Sequence, residues 1–308
     1  MNPITDLFKT MRPQQWVKNL FIFPALIFSK HLFQPDYFLK SLAAFVIFCA
    51  LSGSVYIFND IMDAEEDRHH PRKKDRPIAA GRVSARTALA AFIVVAALSI
   101  SLSFILEIHF GIIAAAYFLM NIGYSVYLKR VALVDVLVVS LGFVIRAAAG
   151  GLAIEVEVSP WLLVCTMLLA LFLVLAKRRH ELVLLEDERS NTLAEMSPAS
   201  DKNAIKYRKS LDEYSAYFLD QMIALTTAST LMAYILYTLS REASEKFGGT
   251  ALVYTTPFVI YGIFRYLYLI HQKNEGGNPT KSLMEDGPLL VDVGLWGLAV
   301  VFIVYFYR

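Results

Sequence analysis

Three stretches of this chain, Ser41–Phe58, Thr87–Leu106 and Ile108–Leu128, run for 18, 20 and 21 residues without a Lys, Arg, Asp or Glu. A bilayer's hydrocarbon core is crossed by about 20 apolar helical residues. In lipid, backbone N–H and C=O groups must bond within the segment, so such runs form helices. Charged residues make up only 18% of the 308, against roughly 25% in a typical soluble domain. A soluble enzyme, a disordered chain and a secreted disulfide scaffold are excluded. Cys49 and Cys165 lie inside apolar runs, where a small polarizable side chain packs well, and neither has metal-type spacing.

The apolar pattern predicts an all-α, polytopic membrane protein. Nine spans are expected, near 17–34, 40–59, 87–105, 110–128, 131–152, 159–176, 217–240, 251–271 and 289–307, forming one integral membrane domain over residues 1–308. Of the 29 Lys and Arg residues, 22 fall on one side of this topology and four on the other. That asymmetry predicts a cell-membrane protein with its N-terminus and two long loops, near 60–86 and 177–213, in the cytosol, and its C-terminus opposite.

Attraction to anionic headgroups accounts for basic residues on that side. It does not account for the acids among them. The second span runs into Asn59, Asp60, Asp63, Glu66 and Asp67. At about 100° per residue these share roughly a third of a helix circumference. Carboxylates so placed repel one another unless a cation sits among them. Oxygen ligands suit Mg²⁺, which keeps waters and bridges to phosphates. A solvated acidic helix end, neutralised by nearby Arg and Lys, is the alternative. Lys73, Arg76 and Arg82 follow closely, a composition suited to a polyphosphate. Pro71 stops the helix, and Ser84 is placed to cap the next one.

Asn59-Asp60-x-x-Asp63-x-x-x-Asp67, followed by Arg76-Pro77-x-x-x-Gly81-Arg82, resembles the UbiA-type membrane prenyltransferase superfamily. Further motifs are similar to one branch, the decaprenyl-phosphate phosphoribosyltransferases. They are Arg12-Pro13-x-Gln15-Trp16-x-Lys18-Asn19, Ile145-Arg146-Ala147-x-Ala149-Gly150-Gly151 and Lys177-Arg178-x-x-Glu181-Leu182, with Tyr214-x-x-x-Phe218-Leu219 later. The second Asp-rich motif of typical superfamily members is not cleanly repeated in Asp212–Asp220. This departure fits a lipid monophosphate and a small sugar diphosphate.

The resemblance implies transfer of phosphoribose from 5-phosphoribosyl 1-diphosphate (PRPP) to a polyprenyl phosphate, with Mg²⁺ as cofactor. Expected partners are PRPP, the polyprenyl phosphate and the membrane, with no nucleic acid. Asn59, Asp60, Asp63 and Asp67 are the implied metal-binding residues, the three Asp also being assigned to catalysis. Lys18, Tyr56, Lys73, Arg76, Arg82, Lys129, Arg146, Lys177 and Arg178 are the implied substrate-binding set. Tyr56 could equally be an interface tyrosine, and topology alone would place basic residues at Lys177 and Arg178. Arg146 lies within a span, where a charge is costly and faces a polar cavity. Asp135 lies about 16 Å from it along the same helix, too far for a direct pair. Two other functions are compatible with parts of the pattern: a UbiA-type prenyltransferase acting on an aromatic acceptor, and a transporter of an anionic metabolite.

Overall fold

The computed structural model describes residues 3–69, 73–194, 211, 213–273, 277 and 279–307. Helix α1 (Pro3–Thr10) leads into a 3₁₀ segment (Pro13–Ile22), α2 (Phe23–Phe28), α3 (Pro35–Met62) and α4 (Ala64–Arg68). Then come α5 (Ala85–Leu106), α6 (Ile108–Val126), α7 (Val134–Ala153), α8 (Pro160–Ala194) and α9 (Ala216–Thr238). The chain ends with α10 (Arg241–Phe247), α11 (Thr256–Gln272), α12 (Pro279–Glu285) and α13 (Gly287–Tyr305).

Eight described helical stretches are long and apolar enough to cross a membrane. The first expected span is the exception. It is built from the 3₁₀ segment and α2 rather than one α-helix. At about 2.0 Å per 3₁₀ residue and 1.5 Å per α residue, the two together run about 29 Å, still a bilayer core's thickness. Contacts at their ends agree: Arg12 meets Asp60 at the acidic end of α3, whereas Tyr305 accepts from the Leu32 N–H at the opposite end. Among the described residues, eight helices of spanning length thus stand where nine spans were expected, and the first expected span is this two-part segment instead.

A glycine explains how that segment is seated. A Cβ on Gly150 of α7 would lie 2.0 Å from the carbonyl oxygen of Ile22, so only glycine allows this approach. Close backbone contact through small residues is how helices pack where lipid removes the hydrophobic drive. The other boundaries follow local chemistry. Ser84 caps α5 by accepting from Thr87 N–H at 3.1 Å, as its position predicts. Glu107, in extended backbone, separates α5 from α6 and accepts from Phe110 N–H at 2.6 Å.

One expectation is corrected. The predicted loop from residue 177 is helical as far as Ala194, because α8 continues past its apolar part; residues 195–210 and Asp212 lie outside the described set. Charged residues there are held by partners within the bundle, as Arg178 is by Asp135, and Leu182 and Leu185 are buried, so the density of charge hid a packed helix.

The two largest of four apolar clusters hold most of the bundle. Phe48, Leu51, Phe110 and Tyr117 pack with Ile22 and Ala149; Phe172, Leu175, Leu219, Ile223, Tyr266 and Leu269 form the other. Ile93, Val94, Leu98, Leu102 and Ile105 of α5 point outward, as residues facing lipid would. Between the clusters lies a cavity of about 870 Å³.

Candidate active site

The acidic end of α3 divides into two groups. Asp60 and Asp67 are both buried and share Arg76, whose Nη1 lies 3.2 Å from Asp60 Oδ1 and also binds Asp67 Oδ2. Arg12 donates to Asp60 as well. Asp63 instead accepts from Asn59 Nδ2 at 3.0 Å and from Lys129 Nζ. The helix closes at Asp63 and restarts, but Asp67 N–H still bonds Asp63 C=O at 2.8 Å, so turn spacing persists. Residues seven apart return to nearly one bearing, which pairs Asp60 with Asp67. Residues four apart pair Asn59 with Asp63. Glu66, counted on the same face, is exposed.

The donor set is all oxygen and suits a hard divalent cation. In this structure Arg12, Arg76 and Lys129 neutralise those carboxylates, and no three Asp, Glu, His or Cys of the described residues close on one point. The residues fit Mg²⁺ by chemistry, provided these basic partners shift.

Asn59, Tyr56, Arg12, Lys18, Arg146, Lys177 and Arg178 all line the cavity. Arg12 adopts the left-handed conformation, φ 53°, and sets its guanidinium 5.0 Å from the centre of the Tyr56 ring. Arg146 is buried and each of its three nitrogens donates one bond: Nε to Asn19 Oδ1, Nη1 to Gly142 C=O and Nη2 to Tyr117 OH, each at 2.7 Å. Its Cζ also lies 4.8 Å from the Tyr117 ring centre. Asn19 in turn donates to Ser52 Oγ at 3.2 Å, linking the 3₁₀ segment, α3 and α7. Gly150, one turn after Arg146, allows that linkage.

Asp135 does not serve Arg146. It accepts from Arg178 Nε at 2.8 Å across α7 and α8. Arg178 Nη1 also reaches Glu181 at 2.6 Å. Tyr214 donates to the other oxygen of Asp135 at 3.1 Å and accepts from Leu133 N–H at 2.6 Å. Burial pushes the Tyr214 hydroxyl up to about 12, so it keeps its proton at neutral pH and remains a donor. Asp220, from the region of the missing second motif, is bound by Arg179.

Four expected substrate-binding residues stand outside the cavity lining. Arg82 donates to Asp75 C=O at 2.6 Å and sits 3.5 Å from Asp6, tying the 73–83 turn to α1. Arg76 is spent on Asp60 and Asp67, and Lys73 occupies the turn. Lys129 touches Asp63 at the rim. Arg12, Asn19, Tyr117, Tyr124 and Asp135 join the site without having been selected from sequence roles. Arg12 and Asn19 stand in the N-terminal motif, which was the available signal; the tyrosines resemble any interface aromatic.

Below this charged end the cavity is lined by Phe28, Trp161, Leu169, Tyr237, Phe258 and Trp296. The fold and cavity together define a polytopic membrane protein with an internal cavity that is charged at one end and apolar in its body.

The chain belongs to the UbiA prenyltransferase family, whose model matches residues 20–284. Decaprenyl-phosphate phosphoribosyltransferases of Corynebacterium glutamicum and Mycolicibacterium smegmatis are 31% and 32% identical to it, over 99% and 98% of this chain and 88% and 94% of theirs. A UbiA homolog from Archaeoglobus fulgidus, solved bound to GPP and Mg²⁺, has the same fold, with TM-score 0.67, 16% identity, and coverage of 97% of this chain and 99% of that one. The chain is thus an integral membrane transferase of the UbiA type.

Proposed function

We propose that this transferase moves 5-phosphoribose from PRPP to a polyprenyl phosphate and releases diphosphate, at the cytosolic face. The observation that carries the reading is the composition of the cavity. Its charged end gathers Arg12, Lys18, Arg146, Lys177 and Arg178, and its body is apolar and aromatic. Such a site suits two phosphorylated substrates, one with a long isoprenoid tail. The relatives' name supports that pair, and the charge asymmetry of the loops supports the side.

The acceptor phosphate is anionic and needs no strong base to attack. Its oxygen forms a bond to the anomeric carbon as the bond to diphosphate breaks, and the electron pair leaves with the diphosphate. The hard part is stabilising that leaving charge. Lys18, Lys177 and Arg178 offer fixed positive charge around it, and Arg146 does so from deeper in the cavity. Asn59, Asp60, Asp63 and Asp67 would hold Mg²⁺, which when bound offsets diphosphate charge. Arg76 and Lys129 neutralise the same carboxylates here, and a cation held by those acids would leave both bases available to phosphate oxygens. The tail remains in the apolar part, since exposing it costs about 0.8 kcal/mol per CH₂.

The test is direct. Purified protein with Mg²⁺, PRPP labelled in the ribose and a short polyprenyl phosphate is expected to yield lipid-extractable label, and chelation of the metal to abolish it. No product across several chain lengths, with turnover of a prenyl diphosphate and an aromatic acid instead, overturns the proposal.

A further inference from the structure

Asp292 stands in α13, within the membrane-spanning part of the chain, and only 8% of its surface is exposed. It lines the same cavity as Lys177 and Arg146. No donor among the described residues bonds its carboxyl group. A buried polar group without a partner is costly, and an ionisable one at membrane depth marks a functional site.

The surroundings make room for it. A Cβ on Gly262 of α11 would lie 2.8 Å from Asp292 Oδ2, so glycine there leaves the carboxyl group its space. One turn further along α11 is Tyr266, whose hydroxyl is buried without a partner among the described residues and which also lines the cavity. An acceptor and a donor, both unsatisfied, thus share one stretch of wall. Other polar groups of the cavity wall are engaged: Arg146 makes three hydrogen bonds, and Trp296 donates to Tyr234 at 3.0 Å.

The chemistry narrows the ligand. A carboxyl group repels phosphate, and cations already line the charged end. What Asp292 can do for a bound ligand is accept a hydrogen bond from a hydroxyl group. Depth agrees. At 1.5 Å per residue Asp292 lies about 8 Å along α13 from its charged end, and Arg146 about 18 Å along α7 from its own. Both therefore lie inward of the charged ends of their helices.

We infer that Asp292, with Tyr266 beside it, forms a subsite for the sugar hydroxyls of the donor, which a carboxyl group can accept in pairs from a vicinal diol. This rests on the proposed pentosyl transfer. It makes Asp292 a specificity-determining residue that reads the sugar rather than the phosphates.

The experiment uses full-length protein in lipid nanodiscs with Mg²⁺ and a short polyprenyl phosphate, comparing PRPP with its 2-deoxy and 3-deoxy analogues. Wild type is expected to disfavour at least one analogue by about tenfold or more in kcat/KM, because a site built for a hydroxyl rejects its absence. Asp292→Ala is expected to bring that ratio within about twofold while the KM for polyprenyl phosphate stays put. Asp292→Asn, which keeps an acceptor oxygen, retains part of the discrimination. If Asp292→Ala does not fold, Gly262→Ala displaces the carboxyl group and is expected to lose the same discrimination. Unchanged discrimination in the variant that folds overturns the subsite, as does a change confined to the lipid KM or to Mg²⁺ dependence. Wild type that turns over no PRPP overturns the pentosyl-transfer reading itself, and the sugar subsite with it.

Discussion

Asp135 and Arg178 are a buried ion pair, 2.8 Å apart, with Tyr214 on the second carboxylate oxygen. Removing one partner of such a pair leaves an uncompensated buried charge. Asp135→Asn is therefore expected to lower stability by about 3 kcal/mol, and Asp135→Asn with Arg178→Met to recover much of it, read by thermal unfolding in detergent. Equal losses in both variants would mean the pair is not coupled. Asp63 belongs to the chemistry instead. Asp63→Asn keeps shape and a contact to Asn59, and turnover is expected to fall about 100-fold or more with unfolding unchanged. Full activity would remove Asp63 from the site. Asp60 and Asp67 were legible in the sequence as one acidic face with it, because turn spacing is local. The Asp135–Arg178 pair was not, because its partners are 43 residues apart and meet only when two helices pack.

Among the elements, the 3₁₀ segment Pro13–Ile22 brings Lys18 to the cavity wall and Asn19 to Arg146. It depends on Gly150. Gly150→Ala forces a methyl against Ile22 and is expected to move the segment, separate Asn19 from Arg146 and reduce activity at least about tenfold. Activity within twofold of wild type would show that the segment is held by other contacts. A run of apolar residues announces a span, but 3₁₀ and α windings read alike, so its extended form was not foreseeable. The Ala149-Gly150-Gly151 motif was the trace of it. At the start of α13, Arg265 donates to Asp286 at 2.8 Å and holds that carboxyl below its ordinary value; Leu289 N–H helps. A depressed folded-state value contributes stability above the unfolded value near about 4, lost as pH falls through the folded one. Asp286→Asn should therefore be less stable than wild type at neutral pH, with the gap closing below about pH 4 in unfolding scans. A constant gap would assign the effect to capping alone.

At the scale of the whole molecule, charge is sorted along the membrane normal. Basic and acidic side chains crowd one end of the cavity, aromatic and aliphatic ones fill the rest, and the outer faces of helices such as α5 are apolar. That sorting was readable from the sequence because membrane insertion imposes it on each segment independently. The cavity was not, since its walls come from elements on both sides of the bundle and its specificity from side chains such as Asp292 that look isolated in the sequence. The sorting suits a water-soluble diphosphate meeting a lipid phosphate, with the sugar crossing between them. The most direct measurement follows the atoms. With PRPP labelled separately in the ribose and in the terminal phosphorus of its diphosphate, ribose label is expected in the lipid extract and the phosphorus label in free diphosphate, in equal amounts. Phosphorus label in the lipid, or loss of diphosphate from a polyprenyl diphosphate with no transfer of ribose, would contradict it.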